Sequence, residues 1–150
     1  MAKLKLQDLC IVTRLGFGGY GKVQENNNSG ETYALKILSK QKIIASRQQE
    51  QILSEKNFMV ELRSDFIIRL HKTFKADEYL YLLMEPCFGG ELFTLLYEEK
   101  NLSHTAAKFY TACIVETFRF MHSKGIVHRD LKPDNVLLDS KGYAKLPPIC

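Results

Sequence analysis

The sequence predicts an α+β fold, a small antiparallel sheet with one helix followed by a helical part. β-Compatible apolar runs at 9–15, 32–38, 66–74 and 79–84 crowd the first half, and one helical stretch, about 48–62, interrupts them. After a Pro- and Gly-containing break at 85–92 the pattern turns helical. Strands grouped ahead of helices are the mark of a segregated α+β architecture. A chain of 150 residues, 45% of them hydrophobic, is enough for one ordinary core.

The first strand is carried by Cys10, Ile11, Val12 and Leu15. It runs into Gly16-Phe17-Gly18-Gly19-Tyr20-Gly21, whose G-x-G-x-x-G spacing lets backbone N–H groups approach phosphates. Dinucleotide-binding folds share this motif, but there it opens a helix. Here Val23 leads into a polar turn, Glu25 to Glu31, and then a second β-like run, Thr32 to Leu38. Lys36 lies in that otherwise apolar run and must find a partner or lose its charge. A partner follows in the helical stretch, where Glu55 shares the apolar stripe of Ile52, Met59 and Leu62. Asp77-Glu78 turns the chain between the next two strands, 66–74 and 79–84, and the latter is apolar enough to be covered on both faces. Pro86 and Gly89-Gly90 mark a connector. Glu91 to Glu98 reads as a short helix. Ser103 caps a longer one, Thr105 to Ser123, with Ala106, Phe109, Tyr110, Cys113, Ile114 and Met121 at helical spacing and Gly125 at its end. A closing hairpin follows, with strands at 136–138 and 143–146 around Asp139-Ser140-Lys141-Gly142.

The net charge of +4 is interspersed, which reads as a solvated surface and not as a nucleic-acid face. Four scattered cysteines without a C-x-x-C pair argue against a zinc site or a disulfide framework and for a reducing, cytoplasmic compartment. The residues from Met1 to Gln7 have no apolar signal region, and no apolar run reaches membrane-spanning length, so no membrane partner is expected.

The densest chemistry lies in His128-Arg129-Asp130-Leu131-Lys132-Pro133-Asp134-Asn135. A carboxylate can orient a hydroxyl and accept its proton, a lysine can hold a phosphate as a point charge, and an asparagine oxygen is a hard metal ligand. Pro133 argues against mid-helix, so the stretch reads as a rigid loop with Asp130, Lys132 and Asn135 on one side.

This octet resembles the catalytic loop of protein kinases. The order strand, glycine loop, strand, turn, strand resembles the same family, and the similarity runs from about Leu6 to Leu146. Lys132 leans toward the serine/threonine branch. Phe109-Tyr110-Thr111-Ala112-Cys113, His122-Ser123-Lys124-Gly125 and Gly142-Tyr143-Ala144-Lys145-Leu146 look like the cyclic-nucleotide-dependent branch, in particular the cGMP-dependent protein kinases; His128 departs from the Tyr usual there. The resemblance implies a protein-kinase-like fold with the sheet lobe and start of the hinge at 6–86, the start of an incomplete helical lobe at 87–146 and an aberrant tail at 147–150. Cyclic-nucleotide-binding domains of that branch would lie upstream.

The resemblance also implies ATP and magnesium as cofactors and a protein Ser/Thr substrate. Asp130 would be the base, Lys132 and Lys36 phosphate ligands, Glu55 the partner of Lys36, and Asn135 a metal ligand. Leu15, Gly16, Gly18 and Gly21 would cover the nucleotide, with Val23 and Ala34 above the adenine and Leu137 beneath it. Met84 would guard the back of the pocket, the backbone of Glu85 and Cys87 would bond the adenine edge, and Glu91 would reach the ribose. In the family, one residue and then Asp-Phe-Gly follow the position of Leu146. Here the chain reads Pro147-Pro148-Ile149-Cys150, with Pro148 where the magnesium-binding Asp belongs. The magnesium site is therefore expected to be incomplete. Two readings stay open: a truncated Ser/Thr kinase domain, inactive as written, or a non-catalytic nucleotide- or partner-binding fragment. Phe109, Cys113, Ile114 and Met121 are expected to lie uncovered, since their covering helices in the family come largely from beyond this stretch.

Overall fold

The computed structural model describes residues 4–14, 20–25, 31–50, 52–53, 57 and 63–147, with the backbone alone for 14 and 20–25. The chain forms two compact units, one of Met1–Glu50 with Leu70–Pro86, the other of Gln51–Arg69 with Cys87–Cys150.

The first unit is a five-stranded antiparallel sheet in the order β1-β2-β3-β5-β4. Its strands are β1 (Leu9–Arg14), β2 (Tyr20–Glu25), β3 (Thr32–Ser39), β4 (Leu70–Lys75) and β5 (Tyr79–Met84). Alternation along β3 and β5 sends Leu35 and Leu83 to one face, where Leu4, Leu9, Ile37 and Phe74 pack against them. Lys72 reaches across to donate to the Leu4 carbonyl and lies over the Phe74 ring, 5.4 Å from its centroid. Leu82 and Leu83 are both buried, so β5 is covered on both faces, as its continuous apolar run requires.

Two sequence expectations need correction here. The single helix of this part is joined by an unforeseen short one, α1 (Lys40–Ala45), started by Ser39, whose hydroxyl accepts the Lys42 N–H. Its backbone at Lys40 also donates to the Glu78 carbonyl at 2.9 Å. Six residues with only Ile43 buried leave too little periodicity to read. Of the expected helix at 48–62, residues 49, 50, 52, 53 and 57 are helical; Glu55, Met59 and Leu62 lie outside the described residues. The strand expected at 66–74 begins only at Leu70. Phe66 to Ile68 instead wrap around Leu146: the Leu146 N–H donates to the Phe66 carbonyl and the Ile68 N–H to the Leu146 carbonyl, both at 3.0 Å. An apolar run announces extended chain but not the strand it will pair with.

The second unit holds α2 (Leu92–Glu99), α3 (His104–Ser123) and a hairpin of β6 (Leu137–Leu138) and β7 (Ala144–Lys145). Ser103 caps α3 by accepting the Ala106 N–H at 3.2 Å. At the other end Gly125 takes φ +72°, its N–H meets the His122 carbonyl, and the Ile126 N–H reaches back to the Met121 carbonyl. This is a Schellman motif, closed by contact between Ile126 and Met121. The hairpin turn is held by Asp139, whose Oδ1 accepts the N–H of Lys141 (2.8 Å) and of Tyr143 (2.9 Å).

The expectation that four α3 side chains lie uncovered is overturned for most of them. Cys113 is buried among Leu92, Val136, Leu138, Ala144 and Leu146, and Met121 is buried with Ile67 and Ile126. Ile114 is half-buried, and Phe109 alone is exposed. The short hairpin and the 66–68 segment fold back on the helix and cover its inward stripe.

Candidate active site

Beyond Gly125 the chain alternates, with Ile126 and His128 inward and Val127 outward. His128 is only 2% exposed, its ring against Phe118 at 6.1 Å, and its Nδ1 receives the Asp130 N–H at 3.4 Å. Nε2 is buried without a hydrogen-bond partner among the described residues. Desolvation by burial holds this imidazole below its ordinary pKa, opposed by the Pro147 backbone and by the charge of Asp130.

Arg129 then adopts φ +62°, a left-handed conformation unusual for a side-chain-bearing residue, and the chain reverses so that Asp130 is exposed. Pro133 opens a single 3-10 turn, Pro133–Asn135, that brings Asn135 back beside Asp130. The Asn135 amide nitrogen donates to both the carbonyl and Oδ2 of Asp130, each at 2.8 Å. The Lys132 ammonium lies 3.7 Å from the same Oδ2. Both partners of that ion pair are about half exposed, so it contributes little stability. Together with the Asn135 bonds it sets a carboxylate, a cation and an amide side by side on one loop. With its nitrogen committed to Asp130, Asn135 leaves its oxygen as the donor for a cation.

Leu137 follows after Val136, paired with Lys145 in the hairpin and bridged to Glu91. Glu91 is exposed, and its carboxylate makes no capping bond to α2. Gly89 is pressed against the same hairpin: its N–H donates to the Leu138 carbonyl at 2.9 Å, and an added Cβ would stand 2.7 Å from the Leu138 Cβ and 2.8 Å from the Asp139 carbonyl oxygen. Cys87 is half-buried.

In the sheet unit, register places Ala34 opposite Met84 and Lys36 opposite Leu82, so these four share one face. Ala34, Leu82 and Met84 are buried and Lys36 is half-buried, giving an apolar surface with one cation. Glu85 is half-buried at the end of β5. The backbone of Gly21 pairs with Leu35 and that of Val23 with Tyr33. Leu15, Gly16, Gly18 and Glu55 lie outside the described residues, as does Pro148. Among the described residues, no group of three or more His, Cys, Asp or Glu could hold a metal ion, and no helix is long and apolar enough to cross a membrane.

Residues 10–147 match the protein kinase domain family. The chain belongs to that family. This kinase domain is 48% identical over 146 residues to cGMP-dependent protein kinase, isozyme 2 forms cD5/T2, of Drosophila melanogaster, a match covering 95% of this chain and 16% of that protein. It is 42% identical to isozyme 1 of the same organism, covering 95% of this chain and 19% of that one. It is also 42% identical to human cGMP-dependent protein kinase 2, over 93% of this chain and 19% of the relative. The chain thus spans less than a quarter of the length of these curated relatives. Kinase domains use ATP with magnesium.

Two features of this kinase domain escape sequence reasoning. The tight seat of Gly89 is invisible because paired glycines read simply as a connector. Thr117, 1% exposed, sits on the inward face of α3 with its one hydroxyl proton shared between two carbonyls. Its only sequence signal is a place four residues after Cys113 and four before Met121, on the buried stripe.

Proposed function

We propose that this kinase domain binds ATP and that its chemistry is transfer of the γ-phosphoryl group to a Ser or Thr hydroxyl of a protein. The reading is carried by the exposed Asp130 carboxylate, held at 2.8 Å by Asn135 and flanked by the Lys132 ammonium at 3.7 Å. The substrate hydroxyl oxygen bonds to the γ-phosphorus as the bond to the bridging oxygen of ADP breaks, and the hydroxyl proton passes to Asp130. Lys132 offers positive charge to the phosphoryl oxygens, and Lys36, with Glu55 as its partner, offers it to the α- and β-phosphates. By the family resemblance, Leu15, Gly16, Gly18 and Gly21 would cover the nucleotide, Val23, Ala34, Met84 and Leu137 would take the adenine, the backbone of Glu85 and Cys87 its edge, and Glu91 the ribose. The scattered cysteines, without a C-x-x-C pair, support a reducing, cytoplasmic setting.

Magnesium fits these residues only in part. Asn135 supplies one oxygen, Pro148 stands where the family's metal-binding Asp belongs, and no acidic cluster replaces it among the described residues. No step is therefore assigned to a metal. Pro148 also favours a second reading, in which the domain binds nucleotide without transferring phosphate.

The discriminating experiment uses the polypeptide of residues 1–150 with ATP labelled at the γ-phosphate and a basic Ser/Thr peptide, beside Asp130→Ala. Transfer that falls by about 10²- to 10⁴-fold in Asp130→Ala supports the catalytic reading. ATP binding without transfer supports the second. Failure to bind any adenine nucleotide overturns both.

A further inference from the structure

We infer that Thr117 is a positioning residue whose hydroxyl fixes the Phe66 carbonyl and, through it, the hairpin that carries Leu137. A buried hydroxyl is tolerated only where it is hydrogen-bonded, because Val fills the same volume without a polar atom to satisfy. Thr117 Oγ1 lies 2.9 Å from the Cys113 carbonyl in its own helix and 3.2 Å from the Phe66 carbonyl, a residue far away in sequence. The bond to Cys113 is the local one any helical Thr can make. The bond to Phe66 is not local and ties α3 to a segment outside any regular element.

The Phe66 carbonyl also accepts the Leu146 N–H at 3.0 Å, so it meets two donors, that N–H and the Thr117 hydroxyl whose single proton it shares with the Cys113 carbonyl. The orientation of that one peptide plane therefore sets the position of Leu146, which is itself buried. Leu146 directly follows β7, and β7 pairs with β6, where Leu137 stands directly after Val136 and the Asn135 turn. Strands of two residues cannot define their own position. They are held from outside by the Phe66–Ile68 ladder on one strand and by the Gly89, Gly90 and Leu92 backbone bonds on the other. Thr117 is the side chain that braces the first of these two supports.

The functional consequence, nucleotide affinity, rests on the reading proposed above; the placement does not. The test compares Thr117→Val, which keeps shape and loses the hydroxyl, with Thr117→Ser, which keeps the hydroxyl, both in residues 1–150. Amide hydrogen exchange is read at Ile68 and Leu146, with Leu138, bonded to Gly90 outside the ladder, as the internal reference. In Thr117→Val, exchange at Ile68 and Leu146 should rise roughly two- to tenfold against Leu138, the range one net hydrogen bond produces, and the ATP dissociation constant should rise within the same range. Thr117→Ser should restore both. Equal acceleration at all three amides, or a Ser variant that behaves like Val, would reduce Thr117 to a packing residue and overturn the inference. If Thr117→Val does not fold, Thr117→Ala against Thr117→Ser makes the same comparison. If the parent chain binds no ATP, the nucleotide reading fails while the exchange pattern still decides the role of Thr117.

Discussion

At the scale of single residues, burial without a full set of partners makes His128 a point of acid sensitivity. Its pKa in the folded chain lies below the ordinary 6.5, so between those values the unfolded chain binds more protons. Stability is then fully present above about pH 6.5 and declines as pH falls toward the folded value. Denaturant midpoints measured from pH 8 to pH 5 should fall across this window, and His128→Gln should flatten the decline. An unchanged slope in that variant would assign the acid sensitivity elsewhere. Gly89 is constrained in a different way. A Cβ there meets backbone atoms of Leu138 and Asp139, which cannot move aside as a flexible side chain would. Gly89→Ala is expected to cost about 1–3 kcal/mol, as overpacking does, and to weaken ATP binding by displacing the hairpin under Leu137. Thermal melts and an ATP titration read the two effects separately.

At the scale of elements, α3 owes its two ends to one residue each. Ser103→Ala removes the hydroxyl that satisfies the Ala106 N–H and should cost about 1 kcal/mol. Gly125→Ala forces a Cβ into a left-handed conformation at φ +72° and should cost about 1–2 kcal/mol. The space around Gly125 is open, so strain and not collision is the cause. Urea unfolding of each variant should show a lower midpoint with an unchanged slope. A loss at Gly125 much beyond this range would mean that the Schellman turn also sets the path of the His128–Asn135 loop. The two ends were legible in the sequence because caps are local chemistry. The short α1 was not, since six residues with one buried side chain carry no period.

At the scale of the whole molecule, the donor set predicts how nucleotide and metal are linked. On the proposed reading Asn135 would offer one oxygen, and Pro148 stands where the family resemblance implies a carboxylate. ATP affinity of residues 1–150 should therefore be nearly the same with and without Mg²⁺, and Pro148→Asp should make it magnesium-dependent. Isothermal titration in both conditions checks this. A strong magnesium effect in the parent chain would mean that another carboxylate, Asp134 or Asp139, has taken over. Folding on this scale also departs from the family-based expectation. Cys113 and Met121 are buried by segments of this same chain, so their burial does not wait for further helices.

The sequence by itself determined the family, most of the strands and the ends of the long helix, because each is written in local terms. Residue identities at fixed offsets place Asp130, Lys132 and Asn135 on one loop, apolar β-compatible runs mark β3 and β5, and caps bound α3. Tertiary structure alone decided where extended chain without a local signature would pair. Phe66 to Ile68 read as the start of a strand, but they enclose Leu146, nearly eighty residues onward, through the bonds from the Leu146 N–H to the Phe66 carbonyl and from the Ile68 N–H to the Leu146 carbonyl. It also decided that Gly89 must lack a side chain, since that requirement is made by backbone atoms of Leu138 and Asp139. Contacts between residues distant in sequence leave no period, cap or motif in either segment, so only the folded chain reveals them.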